Sequence, residues 1–410
     1  MSNDTATRVP EYDAGLSKPF PLIGLLALAM TGFICINTET LPAGLLPQIG
    51  EGMGISQSLA GQMVTAYAVG SLLAAIPLTI ATRAWRRRTV LLMTIAGFFI
   101  FNSITALSSN YALTLVARFF AGASAGLAWS LLAGYARRMV PAAQQGRALA
   151  VAMVGTPIAL SLGVPLGTWL GTLVGWRAAF GVMSFLTLIL VAWVCSSVPD
   201  FPGQSGTRQK PLREVLTTPG VRPVLGVVLA WMLAHNILYT YVAPFVAVAG
   251  LGKQVDIVLL LFGAAALAGI WITGRLVDGK LRAAVLASLG AFALTTVAFG
   301  LAGTSASVVC AGMVAWGLTF GGAATLLQTA LADSAGDGAD VALSMNVVVW
   351  NSAIAGGGML GGVLLTAWGV RAFPWAMLAL IMIGLSTAWA ARSHGFPAGH
   401  RSSNARVGGH

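Results

Sequence analysis

Charge is the scarcest feature of this chain. Asp, Glu, Lys and Arg together make up 9% of its 410 residues, against about 25% in an ordinary soluble domain. So few polar groups cannot cover the surface of a soluble fold, so lipid must face much of the chain. Cysteine is nearly absent. Cys35, Cys195 and Cys310 lie far apart inside apolar runs, which excludes a disulfide framework and any metal-ligand spacing. No GxxxxGKS/T phosphate loop and no HExxH pair occurs. Nucleotide-driven pumping by this chain alone is therefore excluded, and no cofactor or metal is expected. Basic residues outnumber acidic ones 23 to 12, a net charge of +11. They sit in short turns between apolar runs, which is the pattern of membrane topology and not of a nucleic-acid partner. The first nineteen residues are polar, include Asp4, Glu11 and Asp13, and lack the charge and apolar pattern of a cleaved signal peptide.

What is present in quantity is apolar sequence, at 57% of the chain, with 50 glycines. A bilayer crossing needs about 20 mainly apolar residues. That ruler gives twelve spans, near 20–47, 57–80, 89–108, 111–140, 145–174, 176–197, 222–249, 255–275, 283–303, 306–332, 340–368 and 372–391. All should be helical, because an open strand cannot satisfy its backbone in lipid. The expected fold is an all-α integral membrane protein of two pseudo-symmetric six-helix halves. The longest polar interruption, 198–221, reads as a cytoplasmic linker between them. The chain thus divides into a tail at 1–19, a first half at 20–197, the linker, a second half at 222–391 and a tail at 392–410.

Orientation follows from Lys and Arg. With the N-terminus in the cytoplasm, 19 of the 23 basic residues fall inside; only Arg177, Lys253 and Arg371 fall outside, and Arg118 lies within a span. Both termini should be cytoplasmic, in a bacterial inner membrane. The turns after the second and eighth spans, TRAWRRRTVLL and GRLVDGKLRAAVL, are both short, basic and cytoplasmic. Corresponding features in paired halves are expected of transporters that rock about a central site.

Two residues stand out by depth. Glu39 is the one acid, and Arg118 the one base, deep in a span. A carboxylate there costs about 2.5–3.5 kcal/mol on insertion scales, so Glu39 is a candidate to take up and release a proton. The alternative is that it lies near the outer end and meets water. Counted from the outer ends of their spans at about 1.5 Å per residue, the two charges lie within a few Å in depth. Arg118 is therefore a candidate partner, and a static ion pair pinning two helices is the plainer reading. The fifth span carries Gly155, Ala159, Gly163, Gly167, Gly171 and Gly175 at a spacing of four. This stripe lets another backbone approach closely, while Pro157 and Pro165 bend the helix. Asn37, Tyr67, Trp129, His235, Asn236, Tyr239, Tyr241, Gln328, Asn346 and Asn351 are candidates to line an amphipathic cavity. Each could equally make an interhelical hydrogen bond or an interfacial anchor. Arg83, Arg87, Arg88, Arg275, Asp278 and Lys280 are candidates for a cytoplasmic gate, or for solvated topogenic turns.

In this order and spacing, several segments together resemble the major facilitator superfamily, especially its twelve-span drug:proton antiporters of the arabinose-efflux and chloramphenicol-efflux kind. They are TETLPAGLLPQIGEGMGIS, RFFAGASAGLAWS, GVPLGTWLGTLVGWRAAF, YTYVAPF, GRLVDGK and NVVVWNSAIAGGGMLGG. The resemblance covers nearly the whole chain. It implies proton-coupled efflux of a drug-like, sugar-like or nucleoside-like molecule, with drug resistance as a consequence. It also implies coupling at Arg118, an antiporter signature along Gly155, Pro157, Gly163, Pro165 and Gly167, and no enzymatic activity. One departure is plain. The family's first cytoplasmic signature reads roughly Gly-x-x-x-Asp-Arg-x-Gly-Arg-Arg. Here Thr79 and Arg83 replace its Gly and Asp, Arg87 and Arg88 match its basic end, and the second copy keeps Gly274 and Asp278. The expected partners are a small molecule, protons and the bilayer, for a protein working as a monomer. The alternatives are an uptake symporter on the same fold and a non-transporting membrane sensor or enzyme.

Overall fold

The computed structural model describes residues 20–141, 144–203 and 211–397, without the side chains of Asp278 and Asp340. The expected tail at 1–19, and residues 398–410 of the expected tail at 392–410, lie outside the described residues. All regular structure among the described residues is helical, as the backbone's need for internal partners in lipid requires. Among the described residues twelve helices are long and apolar enough to cross a membrane: α1 Leu22–Gly44, α2 Gln57–Ala81, α3 Arg87–Leu107, α4 Tyr111–Arg138, α5 Gln145–Val174, α6 Trp176–Ser197, α7 Val221–Thr240, α8 Val255–Val277, α9 Gly279–Ala302, α10 Ala306–Gly338, α11 Val341–Trp368 and α12 Val370–Ala390. They form two six-helix halves, α1–α6 and α7–α12. We call the end carrying Arg83–Arg88 the basic face and the opposite end the far face.

Helix starts at the far face are written in the sequence. Ser56 Oγ accepts from Leu59 N at 3.2 Å to cap α2, and Asn110 Oδ1 accepts from Leu113 N at 3.0 Å to cap α4. Each satisfies an otherwise orphan amide. Three places depart from the sequence expectation. The turn between α8 and α9 shrinks to a single non-helical residue, Lys280, with φ −139° and ψ 34°. Helix α5 widens into a π turn over Ala159–Gly163, immediately before Pro165, whose ring nitrogen cannot donate to the preceding turn. Within 198–221 a short helix, Leu212–Thr217, forms, and its Val215 packs against Gly338 at the α10–α11 junction.

The halves are tied together at the far face. Ser58 Oγ donates to Gly362 O at 3.0 Å. Gln62 Nε2 donates to the Tyr241 hydroxyl at 3.1 Å and to Gly358 O at 3.3 Å. Tyr241 in turn donates to Gly358 O at 2.8 Å and lies 3.3 Å from Ser58 O. Nearer the basic face the same helix α2 loses its cover: Leu73 is 59% and Ile80 64% exposed.

Candidate functional site

The α5 stripe brings α1 and α5 into backbone contact. A Cβ on Gly163 would meet Asn37 Oδ1 at 2.6 Å, and one on Gly167 would meet Leu41 Cδ1 at 2.7 Å. A Cβ on Gly155 would lie 1.8 Å from Ala29 O, so that position accepts no larger residue without moving α1. On its other side α5 meets the second half, where a Cβ on Gly263 of α8 would lie 2.7 Å from Leu160 O. Ser161, inside the π turn, donates to Pro157 O at 2.7 Å. Helix α5 is thus a thin plate between α1 and α8.

Arg118 is fully buried in the first half. Its Nε donates to Met63 O at 3.2 Å and its Nη2 to the main-chain oxygen of Glu39 at 3.3 Å. Its Nη1 has no partner. The guanidinium sits over the Tyr67 ring at 4.9 Å and over Phe180 at 5.5 Å, contacts that suit a delocalised cation in a dry place. Tyr67 is held below it by donating to Cys35 O at 2.9 Å. The Glu39 side chain is also buried. The two residues are in electrostatic contact, yet no ion pair closes between them: the arginine grips Glu39 by its backbone and leaves its carboxylate uncommitted. Helix α1 is further fixed where Asn102 Nδ2 donates to Thr38 Oγ1 at 3.0 Å.

Beside Glu39 runs the seam between halves. Tyr239 of α7 has its hydroxyl beside Thr40 of α1 and within electrostatic reach of Glu39. Behind Tyr239 the second half holds a box of rings. His235 stacks on Phe320 at 3.5 Å and 3° between planes and on Tyr239 at 5.1 Å. It meets Trp316 at 5.1 Å and Phe262 at 6.0 Å. His235 Nδ1 and Trp316 Nε1 are buried without a partner, and an unsatisfied buried polar atom is costly unless something else binds it.

The remaining cavity candidates divide. Asn346 Oδ1 is buried and unpartnered, and Gln328 is exposed on α10. Trp129 is half-buried against Gly32 of α1. Asn236 donates to Met232 O at 2.8 Å, Asn351 to Val347 O at 2.9 Å and Asn37 to Phe33 O at 3.1 Å, each within its own helix. Tyr67 and Tyr241 stand inside helix contacts, the first under Arg118 and the second at the far-face seam. The ring box of Phe262, Trp316 and Phe320 was not singled out from sequence, since aromatics in apolar runs read as lipid-facing or core.

At the basic face the first half finds an acid that its turn lacks. Asp200, just after α6, pairs with Arg86 and accepts from Arg88 N at 3.1 Å. The hydrogen bond from Arg86 holds its carboxyl below the usual carboxylate range. Around it, Arg87 N donates to Phe201 O at 2.8 Å, Tyr135 to Pro199 O at 2.7 Å and Arg138 Nη1 to Pro202 O at 3.1 Å. Arg87 also donates to Arg83 O. The gate candidates Arg83, Arg87 and Arg88 therefore form one network within their own half. In the other half Arg275 lies over Trp271 at 3.3 Å, Lys280 sits at the kink, and the Asp278 side chain is outside the described residues. The missed signal was Asp200 itself, the first acid after Glu51.

Twelve apolar helices in two halves, with a buried acid beside their seam and a buried base behind it, define a multi-pass membrane protein of the transporter class. The chain matches the Major Facilitator Superfamily over residues 28–355 and belongs to that family. It is 31% identical over 389 residues to the transcription regulatory protein OpdE of Pseudomonas aeruginosa, covering 93% of this chain and 94% of the relative. It is 28% identical over 329 residues to the purine ribonucleoside efflux pump NepI of Escherichia coli O157:H7, covering 80% and 83%. In fold it is similar to a bacterial homologue of the human lysosomal transporter Spinster, in an inward-facing and unoccupied conformation. That likeness has a TM-score of 0.68 at 13% identity and covers 93% of this chain and 98% of that one.

Proposed function

We propose that this protein exports a small drug-like, sugar-like or nucleoside-like molecule in exchange for protons, by alternating access, across a bacterial inner membrane. In this reading it works as a monomer with the basic face and both termini in the cytoplasm. The observation that carries the proposal is the uncommitted carboxylate of Glu39, buried beside Arg118 at the seam of the halves. Past 4 Å and at an effective dielectric near 20, their attraction is worth less than about 4 kcal/mol. Each 1.4 kcal/mol of that changes a two-state ratio about tenfold. A proton arriving at Glu39 cancels the attraction and leaves the Arg118 charge uncompensated, which favours a rearrangement of α1 against α4 and α7. The far-face bonds of Tyr241 and Gln62 and the uncovered basic half of α2 support an inward-facing resting shape. In the other shape the far face opens and the gate turns at 83–88 and 275–282 close. His235, Tyr239, Trp316 and Phe320 offer rings and unpartnered polar atoms to an occupant, which suits a planar molecule with hydrogen-bonding edges. The purine ribonucleoside relative supports the same substrate class.

The test is a growth-inhibition and vesicle panel of amphenicols, dyes, sugars and purine analogues, with and without an uncoupler. Uncoupler-sensitive efflux of one class supports the proposal, and flux in the uptake direction overturns it in favour of a symporter. The regulatory name of the 31% relative favours a second reading, a membrane sensor on a transporter fold. Absence of any flux from reconstituted protein that still binds a compound of the panel would establish that reading.

A further inference from the structure

The basic face of the first half has a charge surplus that its own residues do not neutralise. Between Glu51 and Asp200 the chain contains no acid, while Arg83, Arg86, Arg87, Arg88, Arg137, Arg138 and Arg147 all lie at this end. Asp200 is taken up by Arg86 and the Arg88 amide. The excess converges on one place. A cavity of about 70 Å³ opens between α4 and the α2–α3 turn, lined by Arg87, Ser130, Gly134, Tyr135, Arg138 and Phe201. It has room for several waters, and hence for one tetrahedral oxyanion.

The walls leave donors unspent. Arg87 Nε is buried with no partner, and Arg87 lies within electrostatic reach of the like charges of Arg83 and Arg138. Arg138 commits Nη1 to Pro202 O and its plane to the Phe201 ring at 4.6 Å, which fixes the guanidinium at the cavity rim and leaves its other nitrogens over. Gly134 has nothing within 4 Å of the position of a Cβ, so that wall stays open. Ser130 already donates to Leu127 O and accepts from Thr79, and Tyr135 donates to Pro199 O. The unspent donors are therefore the guanidinium nitrogens. Arg87 spends Nη2 on Arg83 O and keeps Nε unpartnered, and Arg138 spends only Nη1; two arginines with donors left over beside a small void match the chemistry of phosphate recognition.

We propose that this cavity binds one phosphate group, at a site separate from the Glu39 seam. The phosphate could come from the headgroup of an anionic lipid in the adjoining leaflet or from the free ion. Native mass spectrometry of the purified full-length protein tests this, with phosphatidylglycerol, phosphatidylcholine and inorganic phosphate as probes. Wild type and Arg138→Lys should retain one phosphatidylglycerol in preference to phosphatidylcholine, and Arg138→Gln and Arg87→Gln should retain it about tenfold less well. Displacement by inorganic phosphate supports the proposal with the free ion as source. Lipid retention that depends on the arginines and resists phosphate supports it with the membrane as source. Equal retention of every probe by the wild type and both glutamine variants, each confirmed as folded by gel filtration, overturns it.

Discussion

The two halves share a fold but place different chemistry at matching depth. In the first half, α1 and α4 carry a carboxylate and a guanidinium, with main-chain oxygens and ring faces as their supports. In the second, α7, α8 and α10 set a histidine among four aromatic rings. A symmetric pore would need the same groups twice. Under the proposed function this asymmetry divides the work, with the drive in the first half and recognition in the second, and the seam between Glu39 and Tyr239 as the place where one is read by the other.

The largest expected effect separates the halves by stability. Arg118→Leu leaves the Glu39 carboxylate buried without a nearby cation and should lower unfolding free energy by about 3–5 kcal/mol. Adding Glu39→Gln should recover part of that. His235→Leu removes a ring whose Nδ1 is already unpartnered and should cost about 1.5 kcal/mol or less. Thermal melts in micelles measure all three, and equal losses for Arg118→Leu and His235→Leu would erase the division.

Next in size is recognition. Phe320→Ala removes one stacking face of the box, worth about 0.5–1.5 kcal/mol beyond its area, and should raise the KM of export roughly threefold to tenfold while the proton dependence stays unchanged. A change confined to the pH profile would move recognition out of the second half. Smaller again is the seam. Tyr241→Phe deletes the bonds to Gly358, Ser58 and Gln62, each worth about 0.5–1.5 kcal/mol. It should raise labelling of a cysteine placed at Ser58 from the far side, and unchanged labelling would show that the seam does not hold the shape.

The smallest effect concerns the Asp200 tether, which belongs to the first half alone. Its Arg86 partner is mostly exposed to solvent, which keeps the pair worth about 0.2–1 kcal/mol. Arg86 holds the Asp200 carboxyl below its ordinary value. The stabilisation is therefore full above the unfolded value of about 3.9 and is lost as pH falls through the lower folded value. Asp200→Asn should remove that part of the acid sensitivity below about pH 4 in a pH-dependent melt, and an identical acid limb in the variant would exclude the tether.

Much of this was legible in the sequence, because lipid imposes simple rules. Twelve apolar runs of sufficient length became twelve helices, and depth counting brought Glu39 and Arg118 together from residues 79 positions apart. The α5 stripe pointed to close packing, though not to α1 as its neighbour. What stayed hidden depends on tertiary contact. Nothing local says that Arg118 grips the backbone of Glu39 and not its carboxylate. Phe262, Trp316 and Phe320 look like any apolar ring until His235 is stacked on them. Asp200 reads as a linker residue until the chain folds back onto Arg86, where it supplies the charge that Arg83 cannot. The two spans either side of the α8–α9 turn were legible, but not that the turn shrinks to a kink at Lys280, because Gly279 and the charges beside it signal a longer loop.

The division of labour is tested most directly by comparing exchange with driven transport in proteoliposomes holding Glu39→Gln. The variant keeps the shape of the side chain and loses only its proton chemistry. The account predicts that substrate exchange at equal pH on both sides persists, while accumulation driven by a proton gradient disappears. Gradient-driven accumulation at the wild-type rate would contradict it.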